Sequence, residues 1–196
     1  MTDRQKEIVK FKISQIKKAL SADKREWGGY YRDGAGYRYL QPGLYIQLQD
    51  YKGSLRYFKW FQKNFPDDTG YPIFLFEWTI TLYKTGNLKL AEKKAFETFM
   101  SNTYLFDKFF KKEFLEFEKW EGSNWEMPET ADYLHYVSTE DNLLDFSNWL
   151  NGFLKSKLFY EGANQFIEIQ KQLKILPVGK KRSLLINKEA ELIQLF

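Results

Sequence analysis

A turn that recurs along the chain constrains its fold more than any other feature. Gln49-Asp50-Tyr51 is followed by Ser54, Phe58, Phe61 and Pro66. Gly86-Asn87-Leu88 is followed by Ala91, Ala95 and Thr98, and Lys157-Leu158-Phe159 by Gly162, Phe166 and Ile169. Each turn leads to a small residue five positions on, then to inward positions at helical spacing. A helix–turn–helix unit repeated in this way buries its apolar stripes against its neighbours. Gln49 and Gly86 lie roughly 37 residues apart and Gly86 and Lys157 roughly 71, which suits a unit of ~34 residues with a degenerate pair in the middle.

The spacing predicts a first helix over about residues 3–22. Thr2 and Gln5 stand at capping-box distance, and Val9, Ile13, Ile16 and Leu20 form one apolar stripe opposite a lysine-rich face. In the first pair the leading helix ends near Gln49, with Pro42-Gly43 interrupting it or beginning it. Its second helix carries Leu55, Phe58, Phe61 and Phe65 up to Pro66. The second pair starts at Pro72, places Leu75, Trp78, Thr79 and Leu82 on one face, and takes Gly86 as a left-handed cap before Ala91, Ala95 and Phe99. Across 104–138, Phe106, Phe109, Phe110, Phe114, Phe117 and Trp120 predict a broad apolar helical face, broken at Gly122-Ser123-Asn124. Phe146, Trp149, Leu150 and Phe153 lead the last pair, and a final helix lies within 184–195. No period-two run bounded by hairpin turns occurs, so the expected fold is all-α.

A chain of 196 residues suits one all-helical domain over 1–196. The absence of cysteine excludes disulfides and Cys-based metal or thiol chemistry. The N-terminus lacks the apolar region of a signal peptide, and the stretch 71–83, interrupted by Glu77, is too short to span a bilayer. A cytoplasmic protein without a membrane partner is the expectation. The net charge of +4 is spread among interspersed acids, so nucleic acid is an unlikely partner.

At these residues the chain resembles the tetratricopeptide (TPR) helical repeat. Leu75, Trp78, Leu82, Gly86, Leu88 and Ala91 carry the resemblance in the second pair. Tyr45, Asp50, Tyr51, Ser54, Phe58, Phe61 and Pro66 carry it in the first, and Phe146, Trp149, Phe153, Gly162 and Phe166 in the last. The pattern departs at Pro42, where a small residue is expected, at Ala95, where a large aromatic is expected, and throughout the middle pair. The resemblance implies a right-handed stack of antiparallel helix pairs over roughly 36–175, with extra N- and C-terminal helices. It further implies a non-catalytic adaptor or scaffold that binds another protein or peptide segment. By position, the groove would be lined by Tyr39, Ile46, Phe76, Glu77, Ile80, Tyr83, Lys84, Asn151 and Lys155. Phe76, Ile80 and Tyr83 read equally as the core of an irregular bundle, because a helix apolar on several faces is often simply buried.

Catalytic chemistry has little to build on. The single histidine, His135, sits beside Leu134 and Tyr136 on an expected helix without an orienting carboxylate. No enzyme, metal or cofactor is expected. The run WGGYYRDGAGYRY at 27–39 lacks a Walker lysine and the strand-to-helix setting of a dinucleotide fingerprint. Its glycines and Arg32 and Arg38 suit either an anion- or nucleotide-binding loop or a covering loop rich in tyrosine. The alternating charges of 107–121 read as a solvated helix face. Lys171, Lys174, Lys180, Lys181 and Arg182 suit either a nucleic-acid contact or a soluble helix end.

Overall fold

Thr2 caps the first helix reciprocally. Its hydroxyl accepts the Gln5 N–H at 3.3 Å while Gln5 Oε1 accepts the Thr2 N–H at 2.7 Å. From there α1 (Asp3–Glu26) buries Val9, Ile13, Ile16 and Leu20 and runs one turn beyond the expected end. The computed structural model describes residues 1–196 and is all-α, with ten α-helices, four 3-10 turns and no strand. No helix is long and apolar enough to cross a membrane. The chain divides into two compact units, Met1–Gly70 and Tyr71–Phe196, where its length suggests one domain over 1–196. The division falls at Asp67-Asp68-Thr69-Gly70, where Gly70 takes a positive φ of 79° and Pro72 opens the next helix.

The N-terminal unit comprises α1, a 3-10 turn at Tyr37–Tyr39, α2 (Gln41–Gln47) and α3 (Tyr51–Asn64). Pro42 occupies the first turn of α2, so it begins that helix rather than interrupting it. The turn between α2 and α3 repeats in the other unit with the same stereochemistry. Gln49 and Gly86 both adopt positive φ, 56° and 77°. Asp50 and Asn87 donate to the carbonyls of Tyr45 and Leu82 at 2.9 Å. Gln49 donates to Ile46 at 2.8 Å and Gly86 to Tyr83 at 2.9 Å, completing two Schellman caps. The third landmark differs. Ser156 caps its helix through the Phe159 N–H at 3.2 Å, and no left-handed residue precedes it.

In the C-terminal unit α4 (Pro72–Lys84) packs on α5 (Leu88–Ser101), where fully buried Ala91 and Ala95 allow close approach. Every α4 residue from Pro72 to Leu82 is buried. The middle region is not a helix pair. α6 (Leu105–Phe109) ends at Lys111, whose φ is 54° and whose neighbour Lys112 donates back to the Asp107 carbonyl at 2.9 Å. The chain then runs without helix through 112–122, tied to the rest by Trp120 N–H donating to the Gln170 carbonyl at 3.2 Å. The expected apolar helical face across Phe114, Phe117 and Trp120 therefore does not form, because the cap at Lys111 turns the chain away first. A short α7 (Pro128–Ala131) precedes α8 (Leu144–Leu154), α9 (Lys157–Ile175) and α10 (Lys180–Leu192). Gly162 on α9 lets the Phe96 and Phe196 rings sit 3.1 and 3.4 Å from where a Cβ would stand. Those two rings stack with centroids 4.3 Å apart.

Candidate functional site

The nine residues placed in a groove by the family resemblance do not form one exposed face. Phe76 and Ile80 are 0% exposed, and Ile46 and Glu77 are buried. Rings of Phe106, Phe109, Tyr136 and Phe146 surround Phe76 at 5.1–6.2 Å, and Glu77 Oε1 accepts the Tyr136 hydroxyl at 2.8 Å. Tyr83 stacks on Trp149 at 4.9 Å and donates to the Asp145 carbonyl at 3.1 Å, and Lys84 pairs with the Asp145 carboxylate. Tyr39 and Asn151 are half-buried, and only Lys155 among the nine is exposed. The physical reason is that α4 is apolar all round. Such a helix belongs in the interior, and its side chains serve packing before recognition.

The glycine-rich loop is held from within its own unit. Four of its amides are donated to carboxylates of the same unit. Asp23 accepts the Arg32 and Asp33 N–H groups at 2.9 and 3.1 Å, and buried Asp33 accepts those of Tyr37 and Arg38 at 2.8 and 2.9 Å. Arg38 is enclosed by anions, at 3.0 Å from Asp33 and 2.6 Å from Asp68. Burial works against its charge, yet hydrogen bonds to Asp68 and Asp33 outweigh that cost and hold the guanidinium above its usual range. Burial likewise opposes the charge on Asp68. Bonds from Tyr39, the Gly70 N–H and Arg38 nevertheless hold its carboxyl below the usual range. A loop stitched by three carboxylates repels an incoming anion, so Arg38 is a structural cation here. Arg32 is exposed and lies 4.6 Å over the Trp27 ring.

Arg182 and His135 take up the following places. Arg182, from the basic C-terminal cluster, donates to the carbonyls of Leu173 and Leu176 and lies 4.5 Å over Trp120. It caps the end of α9 rather than facing a partner. His135 is exposed outside any helix, with its ring 4.2 Å from that of Tyr136 and no carboxylate partner.

A cavity in the N-terminal unit is better built for binding. Helix α1 supplies Lys17, Leu20 and Ser21, the loop supplies Tyr31, and α2 supplies Gln41 and Tyr45. Gly53, Arg56, Tyr57 and Trp60 of α3 complete the wall around about 380 Å³. That volume lies within the ~300–1,000 Å³ range of small-ligand sites. One wall is a continuous run of rings. Tyr45 lies 6.5 Å from Tyr57, Tyr57 lies 5.2 Å from Trp60, and Trp60 meets Tyr31 edge-on at 5.4 Å. Burial pushes the Tyr57 phenol far above its ordinary range and raises that of Tyr31, so both stay neutral. The Tyr57 hydroxyl is engaged by the Arg38 carbonyl.

The polar groups around the cavity are a sealed amide, an engaged phenol and two exposed cations. Gln41 is 1% exposed, yet its Oε1 has no hydrogen-bond partner. Lys17 Nζ lies 5.6 Å over the Tyr45 ring, and neither Lys17 nor Arg56 is paired with a carboxylate. No Asp or Glu lines the cavity. Lys17 and Ser21 also belong to an open face of α1 on which Lys10, Lys18 and Arg25 add positive charge. Lys10 is partly neutralised by Glu7 at 2.8 Å.

The sequence alone does not single out these residues. Tyr45 is visible only as a repeat position and Lys17 only as part of a solvated lysine face. Gln41 carries no readable signal, since a glutamine stands at each end of α2. No family model, curated protein or solved structure matches this chain.

Proposed function

We propose that this chain is a non-catalytic binding protein whose recognition site is the aromatic, cation-rimmed cavity of its N-terminal unit. Its helix pairs act as a TPR-like scaffold, with the shared Schellman turns after α2 and α4 setting the angle of each pair. One observation carries the reading. The cavity combines a wall of aromatic rings with two exposed cations, Lys17 and Arg56, that no carboxylate pairs with. Small-ligand sites are typically concave and lined by aromatic and apolar side chains with a few polar groups at the edge. No histidine or carboxylate lines the cavity to activate the Ser21 hydroxyl, which favours recognition over bond-making.

The test compares the wild-type protein with Ser21→Trp, which sets an indole at the cavity mouth from an exposed helical position. Both are immobilised and exposed to native cell extract, and retained small molecules and proteins are identified by mass spectrometry. A species held by wild type and released by the folded variant is the expected outcome. Identical retention by the two proteins refutes the cavity as the recognition site.

A further inference from the structure

Eight lysines and arginines stand against four acids on α1, so this one helix carries the +4 that is the formal net charge of the whole chain. The acids lie near its ends, Asp3 and Glu7 in the first two turns and Asp23 and Glu26 in the last. Asp23 is engaged by the loop amides of Arg32 and Asp33. Between residues 8 and 22 the helix has four lysines and no carboxylate.

Helical spacing gathers these cations around exposed apolar side chains. Arg4, Phe11, Lys18 and Arg25, seven residues apart, form one exposed row about 32 Å long. Lys10 and Lys17 flank the row on one side, with the exposed Ser14 and Ser21 between, and Ile8 flanks it on the other. Phe11 is 63% exposed and Ile8 49%. An apolar pair set among cations fits the boundary between headgroups and acyl chains. There the ring enters the apolar side while the charged ends stay with the headgroups.

We propose that this face of α1 is a peripheral docking surface for a bilayer rich in anionic phospholipid. Charge complementarity carries the assignment. A negative headgroup layer attracts each lysine or arginine close to it, and a flat layer meets the whole exposed row at once. Ile8 and Phe11 choose lipid over other polyanions. A nucleic-acid backbone or an acidic peptide answers the lysines but leaves both apolar side chains facing charge. Lysine also outnumbers arginine three to one on the helix, which serves diffuse attraction better than a bidentate grip on single phosphates. A peripheral contact needs no spanning segment, so it stands with the absence of a helix able to cross a membrane. The contact does not depend on the cavity being a recognition site.

Co-sedimentation of the full chain with lipid vesicles tests the assignment. Phosphatidylcholine vesicles containing about a third phosphatidylserine should retain it at least about tenfold more tightly than phosphatidylcholine alone, and added salt should release it. Lys18→Gln combined with Arg25→Gln should weaken retention by about tenfold or more. Lys63→Gln combined with Lys89→Gln removes the same charge from other helices and should leave retention unchanged. Phe11→Ser should weaken retention at every salt concentration, as the loss of an inserted ring requires. All five positions are exposed, so circular dichroism should show each variant as helical as wild type. Equal retention of wild type on the two kinds of vesicle, or an equal loss in the two double variants, overturns the proposal. Saturable binding of duplex DNA or polyglutamate without retention on the phosphatidylserine vesicles overturns it too, and assigns the face to a nucleic acid or an acidic protein.

Discussion

Replacing Gly53 with alanine should destabilise the protein even though alanine is the better helix former. Gly53 is the third residue of α3, and its N–H donates to Asp50 Oδ1 at 2.8 Å, the bond that caps the helix. A Cβ at this position would stand 2.2 Å from Asp50 Oδ2 and 2.8 Å from Cε1 of the buried Tyr45 ring. Helix propensity favours alanine by about 0.5–1 kcal/mol. Against that, swinging the Asp50 carboxylate aside forfeits a cap worth about 1 kcal/mol. Displacing an enclosed ring costs a further 1–3 kcal/mol, the usual range for overpacking. The net loss is about 1–3 kcal/mol. With a urea slope of about 1–3 kcal/mol per molar, the midpoint followed by far-ultraviolet circular dichroism should fall by about 1 M. A double-mutant cycle separates the two costs. In an Asp50→Ala background the cap is already gone, so Gly53→Ala should cost about 1 kcal/mol less than in wild type. An unchanged or raised midpoint for Gly53→Ala alone would refute the reasoning, because the close approach of α2 to α3 would then not depend on a missing side chain.

Two further outcomes test other parts of the fold. Ile80→Asp places a carboxylate where the wild-type side chain has no exposure, so it should lose helicity and cooperative unfolding together; a folded, helical Ile80→Asp protein would restore the groove reading of α4. Glu189 is pushed up to about 6 from its ordinary 4.5, by burial first and by the nearby Glu126 charge second, with Gln170 opposing. The folded chain therefore holds this proton more tightly than the unfolded chain does. The contribution of Glu189 to stability is fully present below about pH 4.5, is lost as the pH rises to about 6, and is absent above that. Solvent screening of this part-exposed group limits the effect to about 1 kcal/mol. Glu189→Gln should remove that decline in urea titrations run between those pH values, and an identical decline in the variant would assign it to another group.

Local physics made a good part of this chain readable. The reciprocal bonds between Thr2 and Gln5, the stripe from Val9 to Leu20 and the left-handed glycine at position 86 depend only on neighbours within a turn or two. The same holds for the absence of strand periodicity, and hence for the all-α class. Gln49 marks the limit of that reading. It adopts the left-handed conformation of Gly86 without the residue type that announces it, because the hydrogen bonds of Asp50 and Gln49 to Tyr45 and Ile46 outweigh the steric cost of a Cβ.

What tertiary structure alone decided is which side of each apolar element faces inward and which polar groups are left over. The apolar spacing of Phe106, Phe109, Phe114 and Phe117 is compatible with one helix, but the cap at Lys111 and the pairing of Trp120 with Gln170 leave residues 112–122 without helix. Residues 76, 80 and 83 on α4 carry the same pattern whether they line a groove or fill a core, and only the rings of Phe106, Phe109, Tyr136 and Phe146 around Phe76 choose the core. Arg38 looks like an anion-binding residue until Asp33 and Asp68, the latter thirty residues along the chain, close on it. Gln41 looks like an ordinary helix start until α1 and α3 bury it without giving its oxygen a donor. Periodicity is a property of neighbours in the chain, whereas burial and hydrogen-bond satisfaction belong to neighbours in space, and those neighbours are set only when the helices have packed.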